Sequence, residues 1–169
     1  ATEESLSQNL KDEDKAVRFW AAANDKATPK NLFQALKDRS SWVRLEAVSN
    51  PNATKEHIDL ALKDKDSSVR EAAAANPSIT QEQLSRAIKD KSDSVVIKAA
   101  QNPNLSKEQI SEMLDSPSWS VKATALDHKN VTPEHSTKAL KDDSGVVRAH
   151  ALRNKSATLE RIKQALMIG

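Results

Sequence analysis

Apolar and polar positions recur along this chain with a fixed step of 26 residues. One series is Val17, Val43, Val69, Val95, Val121 and Val147; another is Leu10, Leu36, Leu62, Ile88, Leu114, Leu140 and Leu166. A polar series keeps the same step: Asn24, Asn50, Asn76, Asn102, His128 and Asn154. A constant period of roughly 20–50 residues marks stacked repeats, each burying its apolar face on its neighbours.

Each period contains two helical patterns. In residues 54–77, Thr54 is placed to N-cap the first, and its equivalents Thr28, Thr80, Ser106, Thr132 and Thr158 are all hydroxyls. Pro29 and Pro133 follow two of these caps and suit a first helical turn. Glu56, repeated as Glu82, Glu108, Glu134 and Glu160, sets a carboxylate at the positive end of the dipole. Ile58, Ala61 and Leu62 then form an i, i+3, i+4 stripe, which predicts a helix of roughly nine residues. Asp66, matched by Asp14, Ser40, Ser92, Ser118 and Ser144, caps the second helix, whose Val69, Ala73 and Ala74 face inward. Asn76 ends it, and Pro51, Pro77 or Pro103 prevents continuation. Helices this short do not persist alone in water, so stability comes from stacking. The pattern predicts one all-α domain over residues 1–169, an α-solenoid of about six two-helix repeats plus one extra terminal helix.

Composition narrows the chemistry. The 26 Lys and Arg nearly balance 24 Asp and Glu, so there is no general attraction to nucleic acid or an acidic membrane. There is no cysteine, which excludes disulfides, thiol nucleophiles and cysteine-held clusters. No apolar run is long enough to span a bilayer, and the polar start Ala1-Thr2-Glu3-Glu4 lacks a secretion signal. Ala1 is what removal of an initiator Met would leave, and the expected setting is cytoplasmic.

Two strings carry a resemblance. Leu10, Asp12, Val17-Arg18 and Ala21-Ala22, repeated as Leu62, Asp64, Val69-Arg70 and Ala73-Ala74, resemble the second half of a HEAT repeat. The string V-R-x-x-A-x-x-N-P, followed by a hydroxyl and then E-x-L, more closely resembles the leucine-rich repeat variant family, over the full chain. That resemblance implies a right-handed superhelix of short helices, often one α and one 3₁₀-like. It implies no particular activity, since such arrays bind many unrelated things. The iron–sulfur module known among relatives has no ligands here.

Arg18, Arg44, Arg70, Val96, Lys122 and Arg148 form a column, and six residues before each stands Asp12, Asp38, Asp64, Asp90, Ser116 or Asp142. In HEAT-like arrays such pairs form a ladder between repeats, and the resemblance implies the same here. Val96 removes a guanidinium and Ser116 a carboxylate. Lys122 therefore lacks a carboxylate in its own repeat and turns to Asp90 or Asp142, so an anion contact is expected beside Lys122 and Arg148.

Departures from the repeat are where function is free to sit. Trp42 and Trp119 open their second helices, at positions where other repeats hold Ser67, Ser68, Ser94 and Ser120, and Phe19, Leu45 and Ile97 stand one turn on. Trp20 and Val146 lie close by. Phe19, Trp42, Leu45, Ile97 and Trp119 are the expected partner-binding groove. His57, His128, His135 and His150 show no i, i+3 or i, i+4 pair, and no phosphate loop or nucleophile motif occurs; neither metal, cofactor nor catalysis is expected. Met167 and Ile168 replace the usual Lys-Asp and form a candidate assembly tail. The first expectation is a non-enzymatic scaffold gripping a protein or peptide in the inner groove of the repeat array. Nucleic-acid binding along the Arg/Lys column comes second, and a structural subunit of a larger assembly third, with oligomeric state left open.

Overall fold

The computed structural model describes residues 1–154 together with Lys163 and Met167. The described chain is helical, in six pairs: α1 (Glu3–Asn9) with α2 (Lys15–Ala23), α3 (Pro29–Ala35) with α4 (Ser41–Ser49), α5 (Lys55–Ala61) with α6 (Ser67–Ala75), α7 (Gln81–Ala87) with α8 (Asp93–Ala100), α9 (Lys107–Met113) with α10 (Trp119–Leu126), and α11 (Pro133–Ala139) with α12 (Gly145–Arg153). No strand occurs among the described residues. The expected extra helix, with Leu166 and Ile168, lies outside them.

The first helices are α-helical over seven residues, shorter than the nine expected and not 3₁₀. Each tightens only at its end. Lys11 and Asp12 donate backbone bonds three residues back, to Gln8 and Asn9, and Lys63 and Asp64 repeat this toward Leu60 and Ala61. Leu36 and Leu62 therefore serve as right-handed C-caps, half-buried, while Leu32 and Ile58 are sealed in the core.

The starts of α3, α5, α7, α9 and α11 hold capping boxes that use amides or imidazoles, whereas α1 uses the Ser5 hydroxyl. The Thr28 N–H donates to Asn31 Oδ1 at 3.1 Å, Thr80 N–H to Gln83 Oε1 at 3.0 Å, and Thr132 N–H to His135 Nδ1 at 3.1 Å. The far end of the same side chain crosses to the preceding repeat: Asn31 Nδ2 donates to the Glu3 carbonyl at 3.2 Å and Gln83 Nε2 to that of Lys55 at 2.6 Å. One residue thus caps its own helix and ties it to the one before.

The chain divides into two compact units, Ala1–Ala87 and Ile88–Gly169. In the first, α2, α4 and α6 pack in succession around a core that includes Leu6, Ala22, Leu32, Val43 and Ala47. In the second, α8, α10 and α12 pack in succession, with Leu114, Leu126, Leu140, Val147 and Ala151 in one cluster. Within each unit two-helix repeats stack on their sequence neighbours, the arrangement of an α-solenoid. Val17 departs from its series: Val43 and Val69 are fully buried, but Val17 is 36% exposed.

Candidate functional site

The arginine column is internal wiring. Arg18 Nε and Nη2 donate to the two carboxylate oxygens of Asp38 at 2.7 and 3.2 Å, and its Nη1 to the carbonyls of Asp12 and Glu13 at 2.8 and 3.0 Å. Arg44 repeats the pattern on Asp64 at 2.7 and 2.9 Å and on the Asp38 carbonyl at 2.9 Å. Both partners of each rung are nearly buried, so the geometry meets the demand that a charge out of water be paired. Each aspartate also accepts the N–H two residues on, Ser40 on Asp38 at 2.8 Å and Asp66 on Asp64 at 2.9 Å. Burial alone would raise Asp64, yet the bonds from Arg44 and the Asp66 N–H leave it below the ordinary carboxylate range.

These distances correct the expected pairing. The aspartate six residues before each arginine offers its carbonyl, and the carboxylate comes from the next repeat, 20 residues on. On that register Val96 and Ser116 occupy one rung, so the two gaps are a single paired replacement. Lys122 is not orphaned. Its Nζ donates to Asp142 Oδ2 at 2.7 Å, which holds that carboxyl below its usual range. Lys122 thus has an internal carboxylate partner. Arg148 is exposed; its Nη1 donates to the carbonyls of Asp142 and Asp143 at 2.7 and 2.9 Å, and among the described residues it has no carboxylate partner.

The asparagine series is a second ladder. Asn50 Nδ2 donates to the carbonyls of Ala22 and Asn24 at 2.8 and 3.0 Å, while its Oδ1 accepts Asn52 N–H at 2.9 Å. His128 reproduces this with a ring: Nδ1 accepts Asn130 N–H at 3.1 Å, so Nε2 carries the proton that reaches the Asn102 carbonyl at 3.0 Å. His57 spans the Thr54 N–H and the Pro29 carbonyl in the same manner, at 3.0 and 2.9 Å. Burial pushes His128 and His135 below the ordinary histidine range. His150 instead meets Asp127 at 3.0 Å. The sequence reading missed the roles of His57 and His135, although hydroxyl-x-x-Asn/Gln/His at a helix start signals them.

The aromatic positions are where wiring is absent. Trp20, Trp42 and Trp119 are 70, 63 and 56% exposed. In the first unit Phe19 is half-buried on the core and meets Trp20 edge-to-face with centroids 5.3 Å apart, and Leu45 is half-buried on α4. In the second unit Ile97 is half-buried on α8 and Val146 is exposed. The structure also shows a feature not anticipated: a recess of about 740 Å³ on the first helices of unit one, lined by Phe33, Asp59, Leu60 and Arg86. Phe33 lies over His57 at 3.9 Å, and Asp59 is lowered to about 2 by hydrogen bonds from Arg86 and Lys63. Phe33 and Leu60 break the repeat as the tryptophans do, which was the available signal. Met167 of the candidate tail is exposed, and Ile168 lies outside the described residues. No helix among the described residues is long and apolar enough to cross a membrane.

No family model and no curated protein matches the sequence. Among solved structures the chain is similar to a leucine-rich repeat variant described as having a novel repetitive structural motif. The two share 26% identity and a TM-score of 0.73, over 89% of this chain and 60% of that one. This chain therefore spans less than two thirds of that structure's length. A crystallised engineered protein from a structural genomics consortium aligns at 20% identity and a TM-score of 0.45, over 96% of each chain. The chain is a short-unit α-solenoid of helical repeats, similar in fold to the leucine-rich repeat variant.

Proposed function

We propose that this chain is a non-enzymatic interaction scaffold, binding a protein or peptide on the outward face of its second helices. The observation that carries this reading is the exposure of Trp20, Trp42 and Trp119 at positions the repeat does not need for packing. Burial of an indole is worth more than that of most side chains, so exposed indoles are the natural anchors of an interface. The first unit carries exposed Trp20 and Trp42 with half-buried Phe19 and Leu45 on the same two helices; in the second, Trp119 and Ile97 offer a smaller patch. Nucleic-acid binding is the weaker reading, because Arg18, Arg44 and Lys122 each already face a carboxylate. An assembly role through Met167 and Ile168 is left without a described contact to support it.

The test is selection of short displayed peptides on the full chain. Trp42→Ala should weaken a selected peptide by about tenfold or more with helical circular dichroism unchanged. Failure to select any peptide sensitive to Trp42→Ala or Trp119→Ala would overturn the proposal.

A further inference from the structure

The outward positions of α2, α4 and α6 are apolar or small apart from two carboxylates, Glu46 and Glu71; the one exposed cation on these helices is Lys15, in the first turn of α2. Glu46 follows Leu45 and stands one turn from Trp42 on α4. In the repeat register it holds the place of Trp20 on α2, the helix packed against α4. It is half-buried, and among the described residues its side chain has no hydrogen bond or ion pair. Asp38, Asp64 and Asp142, also withdrawn from water, each have a cation at 2.7 Å. Burial pushes the Glu46 carboxyl above its ordinary range, with no neighbouring charge to offset it. A carboxylate in that state costs stability, and an arriving cation removes the cost.

We infer that this face of the first unit takes a peptide segment in which a lysine or arginine adjoins an apolar side chain. The cation sets against Glu46, and the apolar group lies on Trp42 and Leu45. The inference rests on the binding proposed above and supplies the partner's chemistry: the patch is apolar and acidic, so its complement is apolar and basic.

The experiment compares peptides selected on the full chain with those selected on Glu46→Gln and Glu46→Lys. Wild type should enrich Lys or Arg beside an aliphatic or aromatic residue. A synthetic peptide of that kind should bind Glu46→Gln about tenfold more weakly, and its norleucine analogue should bind both proteins equally. Glu46→Lys should enrich acidic residues instead. Peptides that depend on Trp42 but show no basic enrichment, or that ignore Glu46→Gln, overturn the cation assignment while the apolar-face reading stands. Absence of any Trp42-dependent peptide overturns the inference, and absence of any peptide that depends on Trp42 or Trp119 overturns both. Glu46→Gln should keep its helical signal and melt no lower than wild type; a lower melting temperature would show an internal partner for Glu46 and also overturn the inference.

Discussion

The two units run the same 26-residue template with different fidelity. In the first, rungs at Arg18 and Arg44 are bidentate guanidinium–carboxylate pairs, and the asparagine ladder is intact. In the second, one rung is Val96 with Ser116, the next is a single lysine contact, and His128 stands in for asparagine. Every replacement in the second unit nevertheless keeps the local bookkeeping closed: among the described residues no buried side-chain nitrogen or oxygen lacks a partner. The contrast shows what the template requires. It requires satisfied backbone groups and paired charges, and it tolerates several side chains that deliver them.

The largest expected effect breaks the regular unit. Arg44→Ala strands the Asp64 carboxylate and the Asp38 carbonyl and should cost about 3–5 kcal/mol in urea unfolding. Next, Val96→Arg tests whether the substituted rung is one event: Val96 is buried, so a lone guanidinium there should cost about 2–4 kcal/mol. Val96→Arg with Ser116→Asp should recover most of that loss, and additive effects in a double-mutant cycle would dismiss the shared rung.

A smaller effect separates the units by pH. His128 and His135 are depressed in the folded state, so the unfolded chain binds the extra protons. Their contribution is therefore complete above the unfolded pKa of about 6.5 and is lost as pH falls toward the folded values. Amide hydrogen exchange should show the second unit opening more readily over that interval, and His128→Asn with His135→Gln should flatten the trend. The smallest effect is on the surface. Trp42→Ala should change stability by no more than about 0.5–1 kcal/mol, against about 2–5 kcal/mol for Leu84→Ala in the core. A large loss for Trp42→Ala would make it packing and remove the contrast between template and departure.

Most of the fold was legible because its signals are periodic. Caps at Thr28, Thr54 and Ser106, the burial of Ile58, Val69 and Ala73, and the turn at Asn76 follow from spacing alone. Helix length was overestimated because Leu36 and Leu62 extend the apolar stripe while the backbone has already tightened into its last turn. The rung partners were misassigned because a residue's nearest carboxylate in sequence is not its nearest in space once repeats stack. The tryptophans were found as breaks in the period. Glu46 was not, because a glutamate on a helix is unremarkable until its burial and missing partner are known.

The Arg18–Asp38 rung joins positions 20 apart, and Arg44 meets Asp64 over the same interval. Excision of residues 27–52 would carry Asp64 to the place Asp38 now holds beside Arg18, with the asparagine ladder rejoined in phase. Shortening or lengthening by whole modules is thus nearly free of new chemistry, whereas loss of a single residue would shear the clasps that span it. Such a chain can change its reach over generations without redesigning any of its joints.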